Sequence, residues 1–81
     1  MKGGNKILND VISPDFKISL AAARVNAGLT QAEVAKAMHI SNKTIVNWES
    51  GKILPSFANV EMLCRIYGIP SDYIFLQKNF T

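Results

Sequence analysis

The fold of this chain is constrained most by two short segments that lie on either side of a very short turn. Each segment carries signals for the start and the end of a helix. In the first, residues 31–38, Thr30 stands three residues before Glu33, which is the spacing of a capping box. The second, residues 42–49, follows Ser41, a favourable N-cap residue, and is stopped by a Ser-Gly pair. The pattern therefore predicts two capped helices joined by a tight turn.

The second of these helices has an outward face that contains no acid. At about 100° per residue, this face covers about 140° of a helical wheel, and the large apolar side chains Ile45 and Trp48 lie opposite it. The face consists of Asn42, Lys43, Val46 and Asn47. Solvated faces usually mix Glu and Lys, whereas amides, a lysine and valine methyls suit base edges in the DNA major groove. The face therefore favours base contacts over its alternative, an ordinary polar surface.

Helix N-termini add a second signal for nucleic acid. Their free backbone N–H groups and the positive end of the helix dipole attract phosphate. We expect phosphate contacts at the starts of both helices and just past the end of the second. The predicted contact residues are Thr30, Gln31, Ser41 and Lys52. For Gln31 and Lys52 the alternative is an ordinary surface position with no role in binding.

Composition limits the other classes of protein. The 81 residues suffice for one domain, and 48% hydrophobic residues suffice for one core. Nine Lys and Arg against six Asp and Glu give a net charge of +3, which permits an anionic partner without demanding one. Cys64 and His39 are the only residues of their kinds, so we expect no disulfide, no metal cluster, no cofactor and no enzyme. Cys64 lies in an apolar helical stretch and is predicted to be an inert core thiol.

The ends of the chain differ from its middle. Residues 1–12 are interrupted by Gly and Asn and are predicted to form a flexible N-terminal arm, and residues 78–81 form a C-terminal tail. Residues 13–77 are predicted to form the domain between them. No apolar run resembles a signal peptide or a membrane span, so we expect a cytoplasmic protein that does not enter a membrane.

The remaining apolar spacing predicts three further helices. The first begins at Ser13-Pro14 and runs to Asn26, with Gly28 ending it. Its predicted buried stripe is Phe16, Leu20, Ala23 and Ala27. The fourth helix spans residues 57–67, with Phe57 on its buried side, and a short fifth helix begins near Ser71. Phe57 is predicted to share that side with Val60, Leu63, Cys64 and Tyr67. The predicted architecture is all-α, with five short helices.

These motifs resemble the phage-repressor type of helix-turn-helix, the Cro/C1 or XRE family. The resemblance spans roughly residues 16–76, and Gln31 together with the run Trp48-Glu49-Ser50-Gly51-Lys52 makes it specific. The other matching positions are Arg24, Gly28, Leu29, Thr30, Val34, Ala35, Met38, Ile40, Ser41, Ile45, Pro55, Ser56, Leu63 and Gly68. The resemblance implies a five-helix, lambda-repressor-like domain whose docking on DNA is known for this class.

The resemblance also implies roles for single residues. Gln31 would contact phosphate, and Lys52 would hold the opposite side of the groove. Asn42, Lys43 and Asn47 would read bases. Arg24 would form a structural ion pair with Glu49. The chain departs from the family at His39, where glycine is usual and the backbone needs a positive φ, which His tolerates with some strain. A pH-sensing role is the alternative for His39.

The leading hypothesis is a transcriptional regulator that inserts helix 42–49 into the major groove of a double-stranded DNA operator. We expect a weak homodimer on DNA, because one recognition helix reads too few base pairs. Its surface is predicted at the C-terminal end, residues 73–76 with Phe80. The alternative is an antitoxin that neutralises a partner protein and regulates its own operon. Phage, restriction-modification and toxin-antitoxin settings all fit the sequence.

Overall fold

The computed structural model describes residues 17–76, so the predicted arm (1–12) and tail (78–81) lie outside the described residues. The described part contains four α-helices and one short 3-10 helix. They are α1 (Leu20–Asn26), α2 (Gln31–Met38), α3 (Asn42–Ser50), α4 (Phe57–Tyr67) and the 3-10 helix Ser71–Tyr73. The all-helical class is confirmed, but the count of five α-helices is not. Within residues 17–76, no helix is long and apolar enough to cross a membrane.

The caps of α2 and α3 form as the sequence predicts. Thr30 Oγ1 accepts from the Glu33 amide at 3.0 Å, and Glu33 Oε1 accepts from the Thr30 amide at 2.8 Å. Ser41 Oγ accepts from the Thr44 amide at 3.1 Å and starts α3. Between the two helices, His39 has φ 59° and ψ 41°, the left-handed conformation expected of this turn.

The first helix starts later than predicted. Ser19, not Ser13, is the N-cap of α1, and its Oγ accepts from the Ala22 amide at 3.0 Å. The residue before it is extended and pairs with the far end of the domain. The Ile18 amide donates to the Tyr73 carbonyl at 2.7 Å, and the Ile18 carbonyl accepts from the Phe75 amide at 3.0 Å.

This pairing makes the predicted helix wrong over residues 17–19. The cap at Ser13-Pro14 and the stripe residue Phe16 lie outside the described residues.

The predicted fifth helix is also shorter than expected. It is one 3-10 turn, and Ile74 then adopts an extended conformation with φ −99° and ψ 132°. Ile74 forms an isolated parallel bridge with Ile18 and is buried. The bridge closes the domain by joining the segment before α1 to the segment after the 3-10 helix.

One core lies between the four α-helices. It is formed by Leu20, Ala23, Val34, Ala35, Ile45, Trp48, Val60, Leu63, Cys64, Tyr67 and Ile74. Cys64 is a free thiol whose pKa is raised by burial, in agreement with a core role. Ala27, predicted in the buried stripe of the first helix, is exposed at the C-cap of α1. Phe57 is the exception to the predicted stripe of α4, since 76% of it is exposed. It lies in the first turn of α4, about 70° from the centre of the buried arc, and so extends past the end of the core.

Candidate nucleic-acid interface

The exposed face of α3 carries the predicted base-reading residues. Asn42, Lys43 and Val46 are exposed, whereas Asn47 is half-buried. Ile45 and Trp48, only 1% and 8% exposed, hold the opposite side of α3 in the core. The rotational setting of α3 is therefore the one derived from the helical wheel. Contact of these side chains with DNA remains a prediction.

The start of α3 is fixed by a pair of hydroxyls. Ser41 Oγ and Thr44 Oγ1 are 2.9 Å apart and share a hydrogen bond, in addition to the bond from the Thr44 amide to Ser41 Oγ. The Ser41 hydroxyl is thus engaged in capping, and a phosphate contact would be an additional use of it. This role of Thr44 was not predicted from the sequence, although the Ser-x-x-Thr spacing at a helix start could have indicated it.

Gln31, the first residue of α2, makes a contact that the sequence did not predict. Its Nε2 donates to Glu49 Oε1 at 3.0 Å, which links the start of α2 to the last turn of α3. Thr30, just before it, uses its hydroxyl for the capping box. Gln31 remains half-buried rather than enclosed, so part of its side chain reaches solvent. Its phosphate contact remains a prediction.

Arg24 and Glu49 form the ion pair that the family resemblance implies. Glu49 Oε2 accepts from Arg24 Nε at 2.7 Å, and Glu49 Oε1 accepts from Arg24 Nη2 at 3.2 Å. The two side chains are only 14% and 8% exposed. The hydrogen bond to Glu49 raises the pKa of Arg24 above its ordinary value. Arg24 Nη1 also donates to the Leu29 carbonyl at 2.8 Å, so the pair ties α1 to the turn before α2.

Lys52 lies just beyond α3, where the chain folds back on that helix. The Ile53 amide donates to the Asn47 carbonyl at 3.2 Å, and the Lys52 amide donates to Ser50 Oγ at 3.4 Å. These bonds hold the exposed Lys52 side chain beside the C-terminal end of α3. The predicted base-reading residues and Lys52 are therefore on or next to one helix, and Gln31 is linked to that helix through Glu49.

A family model described as Helix-turn-helix matches residues 20–74, which is more than half of the chain. The chain belongs to the helix-turn-helix family. The resemblance to its phage-repressor type, stated from the sequence, is confirmed.

Two curated relatives of this helix-turn-helix chain are transcription regulators by name. The HTH-type transcriptional activator BcrR of Enterococcus faecalis is 28% identical over 58 residues, covering 72% of this chain and 28% of that protein. The cryptic phage CTXphi transcriptional repressor RstR of Vibrio cholerae is 33% identical over 55 residues, covering 68% of this chain and 50% of that protein. The chain spans half or less of the length of these relatives. No solved structure matches it.

Proposed function

We propose that this helix-turn-helix chain is a non-enzymatic transcription regulator that places α3 in the major groove of an operator, as phage repressors do. The observation that carries the proposal is the exposed face of α3, which presents two amides, a lysine and a valine with no acid among them. The names of the two relatives, an activator and a repressor, support regulation of transcription without fixing its sign.

The chemistry of the face assigns a role to each side chain. The amides of Asn42 and Asn47 suit adenine, the ammonium of Lys43 suits guanine, and the Val46 methyls suit a thymine methyl. The backbone N–H groups at the starts of α2 and α3 suit phosphates, since both helices present the positive end of their dipole there. Phosphate contacts by the side chains of Thr30, Gln31, Ser41 and Lys52 complete the proposed interface.

The test is selection of a preferred duplex from a random pool, followed by measurement of affinity for that duplex and for arbitrary DNA. Replacing Asn42, Lys43 or Asn47 with Ala should each weaken cognate binding by roughly 1–3 kcal/mol and affect arbitrary DNA much less. Lys52→Ala should weaken binding to both kinds of DNA. It should also reduce the slope of log affinity against log salt concentration by about one unit. Lys36→Ala, on the exposed side of α2, is the matched control.

Equal losses on both kinds of DNA for all three α3 variants would contradict the recognition role of this helix. Co-purification with the product of a neighbouring gene would favour the antitoxin alternative, which also binds DNA.

We further propose that two copies bind the operator as a weak homodimer, through a surface centred on Phe57 rather than on the C-terminal end alone. Ile74, which the sequence placed in that interface, is buried in the core. Phe57, Phe75 and Leu76 are 76%, 41% and 40% exposed. Phe57 and Leu76 flank a shallow cavity of about 400 Å³ that Pro55 and Val60 also line. Exposed apolar area of this kind marks interaction surfaces.

The small size of this surface explains why the dimer should need DNA. An aromatic side chain has roughly 150–250 Å² of surface, so Phe57 and its neighbours supply well under the roughly 800 Å² per partner of a standard interface.

Because Phe57 is the centre of the proposed surface, Phe57→Ser should abolish paired binding to a palindromic duplex and leave binding to a half-site unchanged. Met62→Ser, which removes another exposed apolar side chain from α4, is the control. Paired binding that survives Phe57→Ser would contradict this surface.

A further inference from the structure

Glu49 is the meeting point of three hydrogen bonds from two other parts of the domain. Two come from Arg24, at 2.7 and 3.2 Å, and the third comes from Gln31 Nε2 at 3.0 Å. Glu49 lies in the last turn of α3, whereas Gln31 is the first residue of α2. The carboxylate therefore holds a proposed phosphate-binding side chain from the far end of the recognition helix.

The chemistry of a carboxylate fixes which way round the Gln31 amide lies. An ionised carboxylate only accepts hydrogen bonds, so the amide nitrogen and not the amide oxygen must face Glu49. That nitrogen carries two hydrogens, and Glu49 uses one of them. A DNA phosphate is also only an acceptor, so it needs the second hydrogen. Without Glu49, the amide could equally place its oxygen where Nε2 lies, and a phosphate at that place would then meet an acceptor instead of a donor.

Arg24 makes this arrangement compatible with DNA. An acid beside a phosphate site would oppose binding, but Arg24 neutralises Glu49 through two hydrogen bonds in a pair that is almost enclosed. Arg24 also bonds the Leu29 carbonyl, one residue before the Thr30 cap of α2. The start of α2 is thus held both through its first side chain and through the backbone that precedes it.

We propose that Glu49 is a positioning residue for DNA binding, which orients the Gln31 amide so that one N–H is available to a backbone phosphate. The inference rests on the proposed function, since it assumes that the start of α2 faces DNA. It assigns Glu49 a role beyond the ion pair, because the same carboxylate that balances Arg24 sets the polarity of Gln31.

The test is a double-mutant cycle of Gln31→Ala and Glu49→Gln, with affinity measured on a short duplex of arbitrary sequence. In Glu49→Gln, the remaining oxygen should stay on the shorter bond from Arg24 Nε, and the new NH₂ should face Gln31. The Gln31 amide must then flip, so that its oxygen takes the place of Nε2 and accepts from that NH₂. The N–H that the wild-type chain offers to a phosphate is thereby lost from its place. Glu49→Gln removes one negative charge, but both chains compared within that background carry this change, so its effect cancels in the cycle.

We expect Gln31→Ala to weaken binding about three- to tenfold in the wild-type background and hardly at all in Glu49→Gln. Lys52→Ala, the control for a phosphate contact outside this network, should have the same effect in both backgrounds. An equal effect of Gln31→Ala in the two backgrounds would overturn the proposal. So would a parallel disappearance of the Lys52 effect, because Glu49 would then act on the whole domain.

Hydrogen exchange at side-chain amides of the free wild-type chain tests the contact without any variant. The Gln31 NH₂ should exchange more slowly than the NH₂ of the exposed Asn42, and equal rates would overturn the proposal even if Glu49→Gln fails to fold. Slow exchange at Gln31 in a chain that binds no DNA at all would instead overturn the proposed function, and the positioning role would fall with it.

Discussion

The ion pair between Arg24 and Glu49 should dominate the response of this fold to single substitutions. Glu49→Ala removes two of the three hydrogen bonds that Arg24 donates, and this side chain, only 14% exposed in the intact pair, keeps the Leu29 carbonyl as its one partner. Arg24→Ala leaves Glu49, which is only 8% exposed, with the single bond from Gln31. Each change leaves a nearly buried charge without its ion-pair partner.

The size of the loss follows from that burial. Breaking a fully buried pair destabilises a protein by roughly 3–5 kcal/mol, and slight access to water places this pair near the lower limit, at about 3 kcal/mol. A chain of this length has a free energy of unfolding of roughly 4–12 kcal/mol. Either substitution should therefore lower the melting temperature by roughly 12–24 °C.

Urea unfolding measures the effect directly. Trp48, the only tryptophan, is buried next to Glu49 in sequence and reports unfolding by fluorescence. The double variant Arg24→Met/Glu49→Leu should lose only about 1 kcal/mol, because no stranded charge remains. Losses under about 0.5 kcal/mol for both single variants, or a double variant that equals their sum, would refute the reasoning.

Two further predictions concern the turn and the core. His39→Gly should raise the free energy of unfolding by about 0.5–1 kcal/mol, because the left-handed backbone at φ 59° strains a side chain more than the flexibility of glycine destabilises the fold, and a loss in thermal unfolding would contradict this. Burial, with a smaller effect of Glu49, raises the pKa of Tyr67 from 10.0 to about 12. The folded chain keeps that proton longer than the unfolded one, so Tyr67 should stabilise the fold fully below pH 10 and lose this effect as pH rises toward 12. Tyr67→Phe should remove this part of the alkaline loss, and identical pH profiles for the two chains would contradict it.

Local signals predicted the middle of the fold well. The bounds of α2 and α4 agree with the sequence prediction, and α3 is longer by one residue. The reason is that caps are local: Thr30, Ser41 and Ser56 each accept a hydrogen bond from a backbone amide three residues ahead. Such a contact can be inferred from a window of a few residues.

Contacts between distant parts of the chain limited the prediction at both ends. The extended pairing of Ile18 with Ile74 replaced the predicted helix on one side and shortened the predicted fifth helix on the other. Helical spacing alone cannot reveal it, because each segment has an apolar pattern that fits a helix until its partner is known. The prediction that Phe57 is buried was wrong for a related reason. Phe57 lies near the buried arc on the helical wheel of α4, but the core ends before it.

The site shows the same division between local and distant information. The rotational setting of α3 followed from its own sequence, since Ile45 and Trp48 had to face inward and the amides then faced outward. The sequence also named Gln31 and Glu49, but with separate roles, one for DNA and one for the fold. Their hydrogen bond joins these roles, because a carboxylate that accepts from both Arg24 and Gln31 links the stability of the domain to the state of its proposed DNA-facing surface. Substitutions at Glu49 that keep the chain folded should therefore still alter binding, and that separation distinguishes a positioning residue from a purely structural one.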